Sequence, residues 1–362
     1  MGGCGSPAYQ PRAKGVCKLE FFGEKLIIQM WNSIADKGIG SLLKPWQIQR
    51  EAATNLEARR LEILVLAQAE TDARDIREGR KELLPSGRLI AQSSRANPKE
   101  DGVEVTQDNH TKIVERLTKD EVCERLRKEI SISKAIAYAE ETLLEDESPT
   151  TEKSVSDDWL LRWRDYASNV GSDEMQNLWG RVLAGESKAP GSFSLRTLDF
   201  IRNLSISEAQ LIEKVCHLCI EDSIVFPAFT YTRNYNSLLE KYDISLKDLI
   251  TLSSLGIISG VEGQPLTSFW ESHSQDFFSR NIYCNNKLFM VTHTSPHLRL
   301  EMPSLPLTPL GRELRILAKA PANIDYLTEV GRALKSRGFQ VKIADYTVIS
   351  DTQALPANIV EI

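Results

Sequence analysis

Apolar side chains recur every three to four residues over long stretches of this chain, a pattern typical of amphipathic helices. The first stretch, Leu19–Ile34, places Leu26 and Met30 on one such face. A second stretch, Pro45–Leu83, mixes acidic and basic side chains with alanine and contains no proline after its first residue. Good helix formers with interspersed charge predict one long solvated helix here, through which we expect copies of the chain to associate.

The middle of the chain is predicted to be helical as well. Thr118 can cap one helix, and a further helix is expected from Ser133 to Leu144. A tryptophan-rich helical hairpin follows, because apolar residues and tryptophans recur at helical spacing after Ser156 and again after Ser172. Serine is a preferred N-cap residue, so both positions are predicted helix starts.

The second half predicts helices followed by strands. A helix is expected from Ile206 to Cys219, and another begins after Ser245. Alternating segments at 281–294 and 298–307 predict a hairpin whose tip carries His293 and His297. A closing helix over 310–317 completes the order of elements of a winged-helix unit.

These patterns predict a mainly α protein with a smaller α+β part. The tail consists of a helix from Ile324 and a strand ending at Ile343, too little to stand alone, so we expect it to join the preceding unit or another subunit. The chain divides into five predicted segments: residues 1–84, an N-terminal amphipathic segment and long helix; 85–110, a polar linker; 111–204, a helical domain; 205–320, a winged-helix-like domain; and 321–362, a C-terminal αβ extension.

Composition narrows the class of protein. The 362 residues carry 44 basic and 50 acidic side chains, a net charge of −6, which argues against a dedicated nucleic-acid binder. Six irregularly spaced cysteines favour a reducing, cytoplasmic setting. The chain contains no apolar run of the ~20 residues that a membrane-spanning helix needs.

The candidate chemistry lies in one motif of unknown role. A turn between helices offers free amides, two hydroxyls and a guanidinium, the groups that an anion or partner site needs, although the segment lacks the lysine and the glycine density of a phosphate loop. The alternative is a capped structural turn in which Phe193 fills a core and Arg196 pairs with Glu186 or Asp199. The candidate residues are Trp179, Glu186, Pro190, Gly191, Ser192, Phe193, Ser194 and Arg196.

Other chemistry-bearing residues give weaker signals. Cys216 and Cys219 fall on one face of a predicted helix while His217 points elsewhere, so buried thiols are favoured over a zinc site. The five histidines lie in unrelated contexts, and none pairs with a recognisable nucleophile. We therefore expect a protein without catalytic residues, metal or cofactor.

Three motifs carry a resemblance to a known family. They are Trp179–Glu186 (WGRVLAGE), Pro190–Leu198 (PGSFSLRTL) and Leu307–Leu314 (LTPLGREL). With Lys44–Arg50 (KPWQIQR), they resemble an uncharacterised bacterial family, domain of unknown function 2806, and more loosely the abortive-infection alpha proteins. The resemblance implies a bacterial protein linked to phage defence, and it implies no catalytic roles.

Three functions remain open from the sequence. The favoured hypothesis is a non-enzymatic scaffold or effector that self-associates and contacts an unknown protein partner. The second is a DNA-binding regulator built on the winged helix, although its predicted recognition helix offers only Lys247 as a basic residue. The third is a peripheral membrane effector that acts through residues 21–43.

Overall fold

The computed structural model describes residues 22–35, 56–83, 89–91, 107–144, 146, 153–226, 239–262, 266–350 and 353–362. The chain forms two compact units, Met1–Pro190 and Gly191–Ile362. Helices and antiparallel sheets are both present, so the predicted mixture of α and β structure is confirmed.

The first unit is built mainly from helices. Its elements are α1 (Phe22–Ala35), α2 (Leu56–Arg77), β1 (Lys81–Leu83), β2 (Leu89–Ala91), α3 (Gln107–Leu144), α4 (Asp157–Ala167) and α5 (Asp173–Lys188). Helix α1 buries Leu26, Met30 and Ile34 completely, and it packs on α3 and α5. The apolar stripe predicted over the N-terminal helix is therefore part of this unit's core.

The predicted long helix is wrong at its C-terminal end. Helix α2 ends at Arg77, and Gly79 then turns the chain with a φ of 75°, a value that favours glycine. Lys81–Leu83 forms a strand that pairs with Leu89–Ala91, so the predicted linker contains a strand. Residues 45–55 of the prediction lie outside the described residues.

The two helices predicted after the linker are one helix. Helix α3 runs for 38 residues through Thr118 and Ser133 without a break. Ser131, near the expected break, places its Oγ 2.7 Å from the carbonyl oxygens of Ala167 and Val170. Ser133, the predicted start, is buried within the same helix, so neither serine marks a helix boundary.

Helices α3 and α5 approach each other closely at Gly180. A Cβ built on Gly180 would lie 2.6 Å from Tyr138 Cβ and 2.7 Å from the Ala135 carbonyl oxygen. Helix α4 is tied to α5 by Trp163, whose Nε1 donates to the Trp179 carbonyl at 3.0 Å. The tryptophan-rich helices thus pack on α3 through small residues and buried indoles.

The second unit contains two four-stranded antiparallel sheets and five helices within the described residues. Its elements are α6 (Leu195–Arg202), α7 (Ile206–Cys216), β3 (Cys219–Ile220), β4 (Ser223–Val225), α8 (Leu246–Ser254), β5 (Leu266–Trp270), β6 (Phe278–Cys284), β7 (Lys287–His293), β8 (Leu300–Pro306), α9 (Pro309–Ala318), α10 (Ile324–Lys335), β9 (Gln340–Ser350) and β10 (Gln353–Glu361). The sheet orders are β10-β9-β7-β6 and β3-β4-β8-β5.

The predicted hairpin between residues 281–294 and 298–307 is wrong. Strand β7 pairs with β6 through a turn at Asn285, which has a φ of 53°, and β8 belongs to the other sheet. His293 is therefore the last residue of a strand, and the hairpin tip lies elsewhere. The sequence pattern marks alternating segments, but it does not determine which segments pair.

The C-terminal segment is part of the second unit. Strand β9 pairs with β7, and β10 pairs with β9 at the edge of the sheet. Helix α10 buries Tyr326, whose hydroxyl donates to the Val225 carbonyl at 2.7 Å. A tail too short to fold alone is stabilised by extending an existing sheet.

Candidate functional site

The candidate residues on α5 are buried in the first unit. Trp179 is fully buried, and its ring lies 5.8 Å from that of Tyr166. Its indole Nε1 has no hydrogen-bond partner in the described part of the chain. Glu186, farther along the helix, is 2% exposed. Trp179 and Glu186 therefore belong to the core of the first unit. Pro190, the next candidate residue, is the last residue of this unit.

The remaining candidate residues begin the second unit. Gly191 has a φ of 96°, the left-handed region that suits glycine at a turn. Phe193 is buried, while Ser192 is half-buried. The Ser194 hydroxyl accepts a hydrogen bond from the Thr197 amide and so caps α6. Phe193 fills a core and Ser194 caps a helix, as the structural alternative predicts.

A carboxylate of the chain itself bonds to this helix start. Glu313 Oε2 on α9 accepts a hydrogen bond from the Ser194 amide at 2.7 Å. An anionic acceptor at a helix N-terminus is favoured by the unpaired amides there. Two of the sequence motifs, PGSFSLRTL and LTPLGREL, therefore meet at this bond. The positions of the two motifs along the sequence do not indicate this hydrogen bond.

Arg196 is exposed on α6. It makes no ion pair with any residue that the structure describes, so its predicted pairing with Asp199 is not formed. The bond from Ser194 to Glu313 occupies one of the amides that the anion-site hypothesis requires. The geometry therefore supports a turn stabilised by its own carboxylate.

Helix α9 is held against the chain before it by close backbone contact. Thr308 caps α9 by accepting from the Gly311 amide, and its own amide donates to the Ile257 carbonyl at 2.9 Å. A Cβ on Gly311 would lie 2.2 Å from that same carbonyl oxygen. The LTPLGREL motif thus fixes α9 through a cap, a proline at the first turn and a glycine contact.

Replacing Glu313 tests its contact with the turn. We expect Glu313→Leu to lower the free energy of unfolding of the second unit by about 1 kcal/mol, because the Ser194 amide loses its acceptor. Glu313→Gln, which keeps an oxygen acceptor, should lose less. Urea titrations of the three proteins measure the difference, and equal stability of the Leu variant and the wild type would contradict the assigned role.

Sequence reasoning missed a polar cluster in the second unit. Arg315 on α9 donates to Asp222 Oδ1 and to Asn285 Oδ1, both at 3.0 Å. Asn285 in turn donates from Nδ2 to the Cys216 carbonyl at 2.8 Å. The cluster joins α9, the β6–β7 turn and the end of α7. Its hydrogen-bonded partners lie up to 93 positions apart along the chain, so no local pattern indicates it.

The described cysteines are free and buried, as predicted for Cys216 and Cys219. The predicted helix to Cys219 is wrong at its end, because α7 stops at Cys216 and Cys219 begins strand β3. A hydrogen bond with Cys216 and burial raise the pKa of the Cys219 thiol well above its ordinary value. Burial also raises the pKa of Cys284. Thiols held protonated are weak nucleophiles and weak metal ligands. Within the described residues, no group of three or more His, Cys, Asp or Glu side chains is placed to hold a metal ion.

Acid sensitivity is predicted for the capping box at the start of α8. The Ser245 hydroxyl and then the Ser245 amide hold the pKa of Asp248 below its ordinary value of 3.8. An acid with a lowered folded-state pKa contributes stability above its unfolded pKa and loses it as pH falls. We therefore expect the second unit to lose stability below about pH 4. Ser245→Ala should weaken this dependence.

The measurement is thermal unfolding followed from neutral pH downward. Ser254→Ala is a suitable control, because Ser254 lies at the end of the same helix and bonds only to the Thr251 carbonyl. An unchanged pH profile in Ser245→Ala would contradict the role of the capping box.

Among the helices in the described ranges, none is both long and apolar enough to cross a bilayer. No curated protein and no solved structure matches the chain. One family model does match it, over residues 115–331, which include the WGRVLAGE, PGSFSLRTL and LTPLGREL motifs. The Lys44–Arg50 segment lies outside the matched residues. The match spans more than half of the chain, and the chain therefore belongs to the family described as protein of unknown function DUF2806.

Proposed function

We propose that this protein is a non-enzymatic scaffold or effector that acts by self-association and protein contacts. The proposal is supported by one observation: the side chains of the sequence motifs have structural roles. Trp179 and Phe193 are buried, Ser194 caps a helix, and Glu313 bonds to the Ser194 amide. Buried and capping side chains stabilise the arrangement of the helices. A stable arrangement of helices is what a scaffold needs in order to present its surface to other proteins.

Self-association through α2 can be tested on an exposed residue of that helix. Val65 is 48% exposed, whereas Ala73 and Ile76 farther along α2 are buried. Light scattering at micromolar concentration is expected to give a mass above that of one chain, and Val65→Glu should lower it. Leu161→Glu, at an equally exposed position on α4, is the matched control. A monomeric wild-type protein would contradict the proposal.

The exposed face of α8 supports a protein contact over a DNA contact. Leu246 and Ile250 lie four residues apart, and both are exposed. Lys247 is the basic residue of this helix. Readers of DNA bases usually present arginine, asparagine or glutamine to the major groove. An apolar face is better suited to a protein surface.

The winged-helix DNA-binding regulator is the second candidate. Its support is the succession of helices and strands in the second half of the chain. It predicts salt-sensitive binding to duplex DNA, with Lys247→Gln weakening that binding. Absence of any mobility shift at low salt would rule this candidate out.

The membrane alternative has less support. The apolar side chains of α1 that would enter a bilayer, such as Leu26 and Met30, are fully buried within the first unit. Ile28, on the opposite side of the helix, is exposed. A helix whose apolar face is buried against protein exposes little apolar surface for insertion into a membrane interface. Flotation with liposomes tests this candidate, and recovery of the protein with the vesicles would favour it.

A role in bacterial anti-phage defence is part of the proposal. It rests on the sequence motifs alone, which we interpret as a looser resemblance to the abortive-infection alpha proteins. Efficiency of plating should fall when a phage-sensitive bacterium expresses the chain, and a variant with Gly311→Ala should restore plating if the folded second unit is needed. Equal plating with and without the protein across a panel of phages would remove the defence role.

A further inference from the structure

A cleft of about 160 Å³ lies within the first unit, between α2, α3 and the start of α5. Arg74 and Arg77 line it from α2, Arg127 from α3 and Gln176 from α5. A liquid water molecule occupies about 30 Å³, so the cleft has room for a small ligand. None of these residues belongs to the sequence motifs.

The cleft carries excess positive charge. Arg74 and Arg77 form no ion pair with any residue that the structure describes, so their guanidinium groups are available to a ligand. Arg127 is held by both carboxylate oxygens of Glu124, at 2.8 and 3.1 Å. Three arginines therefore face the cleft, and one is fixed in orientation by its own carboxylate.

One carboxylate also lines the cleft, and its charge is offset. Glu70 Oε2 lies 2.6 Å from the Nζ of Lys134. Lys134 also bonds to Asp173 at 3.2 Å. Counted with their partners Glu124, Lys134 and Asp173, the lining residues carry four positive and three negative charges, and Arg74 and Arg77 are the cations outside these ion pairs. Guanidinium groups bind oxyanions through paired hydrogen bonds, so an oxyanion is the class of ligand that this cleft is suited to bind.

Gln176 provides a second, independent observation. Its side chain is 2% exposed, yet its Oε1 has no hydrogen-bond partner among the residues that the structure describes. Buried amide oxygens are normally paired because leaving one unpaired is costly. The two ends of a carboxamide exchange by rotation, so this position can accept from a ligand hydroxyl or donate to a ligand oxygen. A ligand in the cleft would supply the missing partner.

We infer that this cleft binds a small phosphate-type anion, either free phosphate or the phosphate of a small monoester. The phosphate oxygens accept from Arg74 and Arg77, and Gln176 pairs with a phosphate oxygen or hydroxyl. Such a ligand bridges α2 and α5 and thereby stabilises the helix through which we propose self-association. The inference goes beyond the proposed function, since a scaffold does not require a ligand.

Calorimetric titration of the full chain with inorganic phosphate at constant ionic strength tests the inference. We expect saturable binding of one phosphate per chain. The double variant Arg74→Gln/Arg77→Gln should weaken it by roughly tenfold or more, because two charge-assisted hydrogen bonds are lost. Arg125→Gln removes one positive charge from the exposed surface of α3, outside the residues that line the cleft, and should leave the affinity unchanged.

Gln176→Leu separates binding from folding. It removes an unpaired buried amide, so the midpoint of thermal unfolding without phosphate should not fall below that of the wild type. The rise in midpoint that phosphate gives the wild type should be lost. Tighter binding of a nucleoside monophosphate than of phosphate would identify a monoester as the source, and equal binding would identify free phosphate. Absence of saturable binding, or equal weakening by Arg125→Gln, would overturn the inference.

Discussion

Gly311→Ala is expected to destabilise the second unit by about 3 kcal/mol, at the upper end of the range for overpacking. The added Cβ would lie 2.2 Å from the carbonyl oxygen of Ile257, which is a backbone atom. That carbonyl also accepts from the Thr308 amide, so moving it would disturb the cap of α9. Alanine favours helix by about 1 kcal/mol over glycine, which is too little to offset the clash.

A matched control is available in the same unit. Gly331 is also buried in a helix, and a Cβ there would lie 2.4 Å from Ile362 Cδ1. Because that atom is the tip of a flexible side chain, Gly331→Ala should cost far less stability than Gly311→Ala. Urea unfolding measures the decrease in the free energy of unfolding of each variant. Hydrogen exchange of the α9 amides shows whether the decrease in Gly311→Ala arises at that helix. Similar losses in both variants would contradict the argument.

Gly180→Ala is expected to destabilise the first unit by about 2 kcal/mol. Its Cβ would meet three atoms of α3 at once: Tyr138 Cβ at 2.6 Å, the Ala135 carbonyl oxygen at 2.7 Å and the Ala139 amide nitrogen at 3.0 Å. Two of these atoms are backbone, so α3 and α5 must separate to admit the methyl group. Their separation would loosen the contact that positions Trp179 in the core.

Gly171→Ala is the control for this unit. It precedes α5 and has no atom within 4 Å of its added Cβ, so its stability should stay within about 0.5 kcal/mol of the wild type. The measurement is the urea midpoint followed by tryptophan fluorescence, which reports on the buried indoles of Trp163 and Trp179. A Gly180→Ala protein as stable as the wild type would show that the helices pack less closely than described.

Local signals in the sequence predicted several helix starts correctly. Ser172, Ser194, Ser205 and Ser245 each accept a hydrogen bond from the amide three residues later. Ser205 with Glu208 and Ser245 with Asp248 form complete capping boxes. These contacts lie within one turn of helix, so the residues that make them are neighbours in the sequence. Two positions differ: Ser156 precedes α4 without a side-chain cap, and Thr118 lies inside α3 and starts no helix.

The candidate site was only partly predictable. The burial of Phe193 and the cap at Ser194 followed from the turn and from the apolar spacing. The partner of the Ser194 amide did not, because Glu313 lies 119 positions away. The cleft lined by Arg74, Arg127 and Gln176 was missed for the same reason: its residues come from three helices whose packing no single segment specifies.

The sequence by itself determined where the chain coils into helices and alternates as strands, since periodicity and capping depend on near neighbours. It also indicated that Cys216 and Cys219 are buried. Only the tertiary structure decided that α3 is a single helix, that β7 pairs with β9 and that Glu313 bonds to the turn. These features depend on contacts between segments that are distant in the sequence. Such contacts form only when apolar faces pack together and backbone groups form hydrogen bonds within the folded unit.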